Sequence, residues 1–346
     1  MPPPDDFRTR IRNAARAAEG SGLTAEADDL LRLAFEVDEA VAPRAFANRV
    51  FFEIAEIGAP KRARKGERLW AAGSPSRDFL LVVEGRIGAE RVTPMGPQSL
   101  GDAGPGDFAG AADALLAIPR LGEATALEDS RFFVVPSAEF FGGAPSPEVS
   151  DYLLRRLARR LRSLNDEFGK FFPEDKGKGP IGGPAIPEPA DVPDEEKSKT
   201  FAQVGLAIAD ADLLASHARE AAYPQGAVIF REGDEGHDLS VVARGKVRIS
   251  RRISGAGEEA FAILDVGAIF GEMAVFDTDS PVRSADAIAH TECTLLTLER
   301  EVIENLRRDA PEKAAALTAA LCRLAARRIA ETSERLVRWR MMAGMF

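Results

Sequence analysis

A glycine, a carboxylate and an arginine carry the chemistry that this sequence offers. Phe270-Gly271-Glu272-Met273-Ala274-Val275-Phe276 is followed, after a turn, by Pro281-Val282-Arg283-Ser284-Ala285. Gly271 has no Cβ, so the backbone can turn sharply and approach a ligand closely. The N–H groups that open the short helical run from Glu272 have no partner within it and suit an anion. Arg283 adds a fork of donors that matches a phosphate. Glu272 can accept from a sugar hydroxyl. Anion donors beside a hydroxyl acceptor suit a ribose phosphate. No Gly-x-Ser-x-Gly, paired-cysteine or His-Glu-x-x-His motif is found, and the three histidines lack metal-ligand spacing. The sequence therefore gives no catalytic set and no metal site.

The elements that must position these residues are short strands punctuated by glycine. In the second half they are expected at 227–230, 239–242, 246–251, 260–264, 285–289 and 294–298, after a helix over 211–220. A helix from Glu301 to about Arg340 follows, interrupted near Pro311. The first half has β-like runs at 68–70, 79–83 and 131–135. Shifted by 160 positions, Gly66, Gly73, Asp78 and Gly85 fall on Gly226, Gly233, Asp238 and Gly245. With one more residue of offset, Gly106 and Gly110 fall on Gly267 and Gly271. Turn glycines at matched intervals mean matched strand lengths, hence a tandem repeat. The halves part where the chemistry sits. Ala111 stands in register with Glu272, and the arginine candidate of the first half is Arg120; Asp113 and Glu123 are close by but out of register.

These residues closely resemble the phosphate-binding cassette of the cyclic nucleotide-binding domain family. The match continues through Gly226, Ile229, Phe230, Gly233, Asp234, Gly245 and Gly267. The resemblance implies an α+β fold of two tandem eight-stranded-type, jelly-roll-like β-rolls with flanking helices. It implies Glu272 on a ribose 2′-hydroxyl, Arg283 on a cyclic phosphate, and backbone N–H groups near Gly271 and Ala274 on that phosphate. Phe270, Met273, Ser284 and Ala285 complete the expected ligand-binding set. Cyclic AMP and cyclic GMP are both open as ligands, because Ser284 does not choose the base, and a cyclic dinucleotide is a further alternative. The gap from Glu272 to Arg283 is longer than the family's usual one, so Asp277-Thr278-Asp279-Ser280 is expected to bulge. The first half reads as a degenerate copy that keeps the turn and lacks the acceptor. In this family the final helix commonly folds over the base, with contact expected between Leu321 and Ile329 rather than at Trp339.

Composition bounds the rest. Among 346 residues, 45 are basic and 55 acidic, a net charge of −10 that argues against broad nucleic-acid binding. Two cysteines cannot form a framework and read as buried small residues. No apolar run is long enough for a membrane span, and the N-terminus has no signal-peptide pattern, so a cytoplasmic protein is expected. The expected divisions are an N-terminal helical segment 1–39, a degenerate domain 40–172, a Pro/Gly-rich exposed linker 173–200 and a sensor domain 201–346. No helix-turn-helix, kinase, channel or cyclase segment is expected. Leu154, Leu157, Leu161, Leu164, Phe168 and Phe171 form a three-four seam that predicts a homodimer through helix 150–172. The basic, Met-rich end of the last helix suits an unidentified protein partner or, alternatively, a membrane surface. The expected function is a non-enzymatic cyclic nucleotide sensor whose last helix moves; the rival is a ligand-independent scaffold that retains the fold.

Overall fold

The computed structural model describes residues 50, 53, 54, 57–142, 146–169, 185–204, 208–253, 257–276 and 281–343. The N-terminal helical segment, the centre of the Pro/Gly-rich segment and the turn 277–280 lie outside them, as does Phe171. The chain divides into two compact units, 1–149 with 337–346, and 150–336.

The first unit contains β1 (Ala59–Ala63), β2 (Arg68–Trp70), β3 (Asp78–Glu84), β4 (Ile87–Thr93), β5 (Gly96–Ala103), β6 (Phe108–Ala109), α1 (Ala111–Leu116), β7 (Glu123–Ala126), β8 (Ser130–Pro136) and α2 (Ser137–Gly142). α3 (Pro147–Gly169) follows. Two antiparallel sheets, β1-β8-β3-β6 and β2-β7-β4-β5, form the roll. β3 reads Asp-Phe-Leu-Leu-Val-Val-Glu, and its five central residues are all buried, as a strand covered on both faces requires. Leu80, Val82, Ile87 and Phe132 anchor the core between the sheets.

The second unit repeats this plan. β9 (Glu188–Pro189), α4 (Asp194–Gln203) and α5 (Ile208–Ala215) precede β10 (Arg219–Tyr223), β11 (Val228–Phe230), β12 (Asp238–Arg244), β13 (Val247–Ile253), β14 (Gly257–Leu264), β15 (Ile269–Phe270), α6 (Glu272–Phe276), β16 (Asp286–Ala289) and β17 (Cys293–Glu299). α7 (Arg300–Asp309) and α8 (Pro311–Ala343) end the described chain. The sheets run β15-β12-β17-β10-β9 and β11-β16-β13-β14, strand for strand the order of the first roll with β9 added at one edge. The paired glycines of the repeat share positive φ, from 85° and 82° at Gly66 and Gly226 to 74° and 80° at Gly110 and Gly271. The α+β tandem roll is therefore as the repeat implied.

Three expectations are corrected. The helix over 211–220 stops at Ala215, and Arg219–Tyr223 is a strand on β17. From residue 185 onward the expected exposed linker instead packs on the second roll. Ala185 N–H donates to Val228 O at 2.7 Å, β9 pairs with β10, and Val192 is buried. Asp194, Glu195 and Glu196 then open α4, where acids favour a helix N-terminus. The seam of α3 is also used differently from the expectation. From Ser150 this helix belongs to the second unit, and Leu154, Leu157, Leu161 and Leu164 are buried within the chain. Asp151 accepts from Arg307 of α7 at 2.8 Å, and Cys322 of α8 donates to Ser150 O. These four leucines of the face offered for self-association are thus buried within the single chain.

Burial pushes the Cys293 thiol up to about 11 and raises that of Cys322 further, so both are buried thiols rather than thiolates. No helix among the described residues is long and apolar enough to cross a membrane, and no cluster there could hold a metal ion.

Candidate functional site

The site is built where β15 ends. Gly271 takes φ 80°, which turns the chain from the sheet into α6. A Cβ at Gly271 would sit 2.5 Å from Arg283 Nη1, so this glycine provides both the turn and the room for the arginine. Gly236 leaves room on the other side, since a Cβ there would lie 2.7 Å from Arg283 Nε.

Arg283 is 5% exposed and fixed from several directions. Nη1 donates to Asp238 O at 2.7 Å and to Gly271 O at 3.0 Å. Nη2 donates to the Asp238 carboxylate at 2.9 Å. The guanidinium lies 4.2 Å from the centre of the Phe230 ring, within the range of a cation–π contact. Arg283 therefore reaches the cassette although the segment before it is long. Glu272 is 3% exposed. Its Oε1 accepts from Arg328 Nη1 of α8 at 2.7 Å, and Arg328 Nη2 donates to Ile269 O. Arg300, at the start of α7, donates to Ala274 O at 2.6 Å and so ties the cassette to the helices that follow.

One cavity brings together all eight residues singled out from the sequence, Phe270 to Ala274 and Arg283 to Ala285. Its volume is about 140 Å³. Two buried polar atoms beside it, Glu272 Oε2 and Arg283 Nε, have no hydrogen-bond partner among the described residues. Buried polar groups are nearly always paired, so each such atom calls for an explanation. The opposite wall is helical. α8 contributes Arg328, Glu331, Thr332 and Arg335, one face at three-four spacing, and α3 contributes Leu161 and Asn165. The expected window for base contact, Leu321 to Ile329, thus catches only Arg328, and Trp339 does not line the cavity. The sequence did carry a signal for Arg328, which breaks the apolar spacing of its helix because it turns to Glu272.

The first half builds the same arginine cradle. Arg120 is 3% exposed and donates to Gly110 O at 2.9 Å, to Asp78 O and to the Asp78 carboxylate at 2.8 Å. It lies 4.2 Å from the centre of the Trp70 ring. Ala111 leaves no carboxylate where Glu272 stands. Asp113, in register with Ala274, is buried and accepts from Leu121 N–H at 3.3 Å. Burial raises its carboxyl above the usual range, against the pull of the Leu121 N–H and Arg120. Burial likewise lowers Arg120, opposed by Asp113 and Asp78.

The family model "Cyclic nucleotide-binding domain" matches residues 60–142 and 220–310, about half of the chain. Among curated proteins, the "Cyclic AMP receptor protein" of Thermus thermophilus is 43% identical over 119 residues, 34% of this chain and 54% of that protein. The "CRP-like cAMP-activated global transcriptional regulator" of Mycobacterium tuberculosis is 32% identical over 114 residues, 33% of this chain and 48% of that protein. The chain thus spans about half the length of these relatives. A solved structure of the regulatory domain of Toxoplasma gondii PKA with cAMP covers 83% of this chain and 97% of its own, at 16% identity and TM-score 0.28.

Proposed function

The chain belongs to the cyclic nucleotide-binding domain family, and from that premise we propose that its second half is a non-enzymatic, cytoplasmic sensor of a 3′,5′-cyclic purine mononucleotide, cAMP or cGMP. Arg283 would meet the cyclic phosphate, together with the backbone N–H groups between Gly271 and Ala274. Glu272 would accept from the ribose 2′-hydroxyl. The observation that carries this reading is the pair of buried, unpartnered atoms, a cationic donor and an anionic acceptor, at one cavity. A phosphate oxygen and a sugar hydroxyl are the complements of those two atoms.

At about 140 Å³ the cavity is smaller than the ~300–1,000 Å³ usual for small-molecule pockets. On this reading the helical wall shifts as a nucleotide enters, and Arg328 is the bond between that wall and the ribose acceptor. A ligand that draws on Glu272 changes what α8 gains by staying in place. The response is a population shift of α8, which can alter what this helix offers a protein partner. A near-complete shift needs about 5.5 kcal/mol of differential affinity between the two states. A ligand-independent scaffold is the second reading, favoured by the Arg328–Glu272 pair, which satisfies half of the acceptor from within.

Calorimetric titration of the full chain with cAMP, cGMP and a cyclic dinucleotide tests the proposal. One mononucleotide per chain is expected, with binding weakened in Glu272→Gln. No heat and no thermal shift with any of the three would leave the scaffold reading. A stoichiometry of two would mean that the first half binds as well.

A further inference from the structure

The two rolls fasten the end of the cassette helix by different means. In the first, Ser76 lies in the loop before β3 and places its hydroxyl 3.1 Å from Asp113 O, beside Ile118 O. In the second, that loop position is Gly236, and the carbonyl in register with Asp113 O is Ala274 O. Arg300 supplies the donor instead. Its Nη2 lies 2.6 Å from Ala274 O and 3.5 Å from Gly236 O, while its backbone N–H donates to His237 O at 2.7 Å. The strand registers Asp78↔Pro136 and Asp238↔Glu299 put Ser137 where the second roll has Arg300. Ser137 keeps the backbone bond, to Arg77 O at 3.0 Å, and turns its hydroxyl to the same oxygen. Two positions thus differ together between the rolls, the loop residue and the residue after the last strand, and one carbonyl stays fastened.

The exchange has a cost and a gain. Nε of Arg300 is buried with no hydrogen-bond partner among the described residues, a penalty that a serine hydroxyl does not carry. What the exchange leaves open is the space at Gly236. A Cβ there would lie 2.5 Å from the Ala274 Cβ and 2.7 Å from Arg283 Nε, a buried donor without a partner. α6 has only five residues, too few to hold itself as a helix, so its N–H groups point where its far end is held. On the reading that the cavity takes a cyclic nucleotide, we propose that Arg300 is a positioning residue for the phosphate end of the site. It holds the cassette turn against the Gly236 loop from outside, so that Arg283 and the peptide groups from Gly271 to Ala274 face one anion. Arg300 does not line the cavity and acts through Ala274.

The test is calorimetry on the full chain with cAMP and cGMP, comparing the parent with Arg300→Ala, Arg300→Gln and Arg300→Lys at a temperature where circular dichroism shows each chain folded. Losing a charged hydrogen bond should weaken binding roughly tenfold in Arg300→Ala. The factor should be the same for both nucleotides, which share the phosphate and differ in the base. Arg300→Lys keeps a cation on a side chain of similar reach and should recover most of the loss, with Arg300→Gln between it and the alanine variant. If the alanine variant fails to fold, the order parent, lysine, glutamine carries the same test. Folded variants that bind as tightly as the parent make Arg300 a fastener of the fold only; they overturn this inference and leave the sensor reading intact. A lysine variant no better than glutamine or alanine overturns it too, as do unequal factors for the two nucleotides. A parent that binds neither nucleotide removes the sensor reading and this inference with it.

Discussion

Arg120 and Arg283 occupy two nearly identical cradles, and the likeness shows what an arginine in this fold does by itself. Each is almost fully buried and donates to the carbonyl of a left-handed glycine, Gly110 at 2.9 Å or Gly271 at 3.0 Å. Each binds the carboxylate of the aspartate that opens the third strand of its roll, at 2.8 or 2.9 Å. Each lies 4.2 Å from an aromatic ring centre. The arginine is thus a fastener for the roll, holding the turn to the sheet whether or not anything binds. What differs is the acid nearby. In the second half the carboxylate is Glu272, turned to a cavity with one oxygen unpartnered. In the first half it is Asp113, buried close enough to Arg120 to act on its titration. The first half thus keeps a carboxyl of its own chain near its arginine.

The largest effect is expected at the seam that joins the first half's helix to the second unit. Leu157 and Leu161 are 4% and 3% exposed. Replacing both with Asp would bury two charges without partners, a change in the class that exceeds about 4 kcal/mol. The second unit should lose its cooperative melting transition in calorimetry. Val92→Asp, at a site 77% exposed in the first unit, should change stability by no more than about 0.5 kcal/mol. A Leu157→Asp, Leu161→Asp chain that stays folded and merely halves its mass in light scattering would instead make the seam an interface between copies.

The next effect separates the two arginines. Arg283→Ala should weaken cyclic nucleotide by about 2–5 kcal/mol, because a buried phosphate loses its charge partner. Arg120→Ala should leave that affinity unchanged and lower the melting temperature of the first unit, since Asp78 and Asp113 lose their buried cation. Titration and melting of both variants give a two-by-two outcome. Equal losses of affinity would mean that the halves do not differ in the way their acids suggest.

Most of the fold was legible in the sequence because turn glycines carry their own signal. A residue at φ near +80° is glycine for steric reasons, and five such positions recur at matched spacing. The site was legible on its roll side for the same reason, since Gly271, Glu272 and Arg283 are neighbours along the chain. Its helical side was not. Arg328, Thr332 and Asn165 lie 45 or more positions from Arg283, and only the packing of α3 and α8 brings them to one cavity. The leucine seam was legible as the buried face of a helix, but periodicity does not say whether what covers it belongs to the same chain. Asp113 was noticed and set aside as out of register; its role depends on burial, which spacing does not report.

A smaller effect concerns the latch. Arg328→Ala removes a charged hydrogen bond to Glu272 and another to Ile269 O. Interactions of this kind contribute about 1.5–3 kcal/mol each when the acceptor is buried. The variant should still bind at Arg283, while the ligand-induced change in amide exchange along α8 disappears. Exchange in α8 that responds to ligand as in the parent would place the coupling elsewhere, with Arg300 on Ala274 O the next bond to test.

The smallest effect probes the acid of the first half by pH. Burial raises the Asp113 carboxyl above its usual value of 3.8. A raised carboxyl means that, between its unfolded and folded values, the folded state holds more protons than the unfolded one. Stability of the first unit then falls as pH rises through that window, and the penalty is complete above it. Asp113→Asn keeps an oxygen to accept from Leu121 N–H and removes the charge. This variant should therefore flatten the acid-side pH dependence of the first unit and be slightly more stable than the parent at neutral pH. The opposing pull is the attraction of Arg120 for the carboxylate, which Asp78 supplies in part after the substitution. Urea titrations of parent and variant at pH 4 to 7 measure the difference. If the variant is less stable than the parent throughout, the attraction of Arg120 for the carboxylate outweighs the desolvation of Asp113, and the acid of the first half helps to hold the roll rather than weakening it.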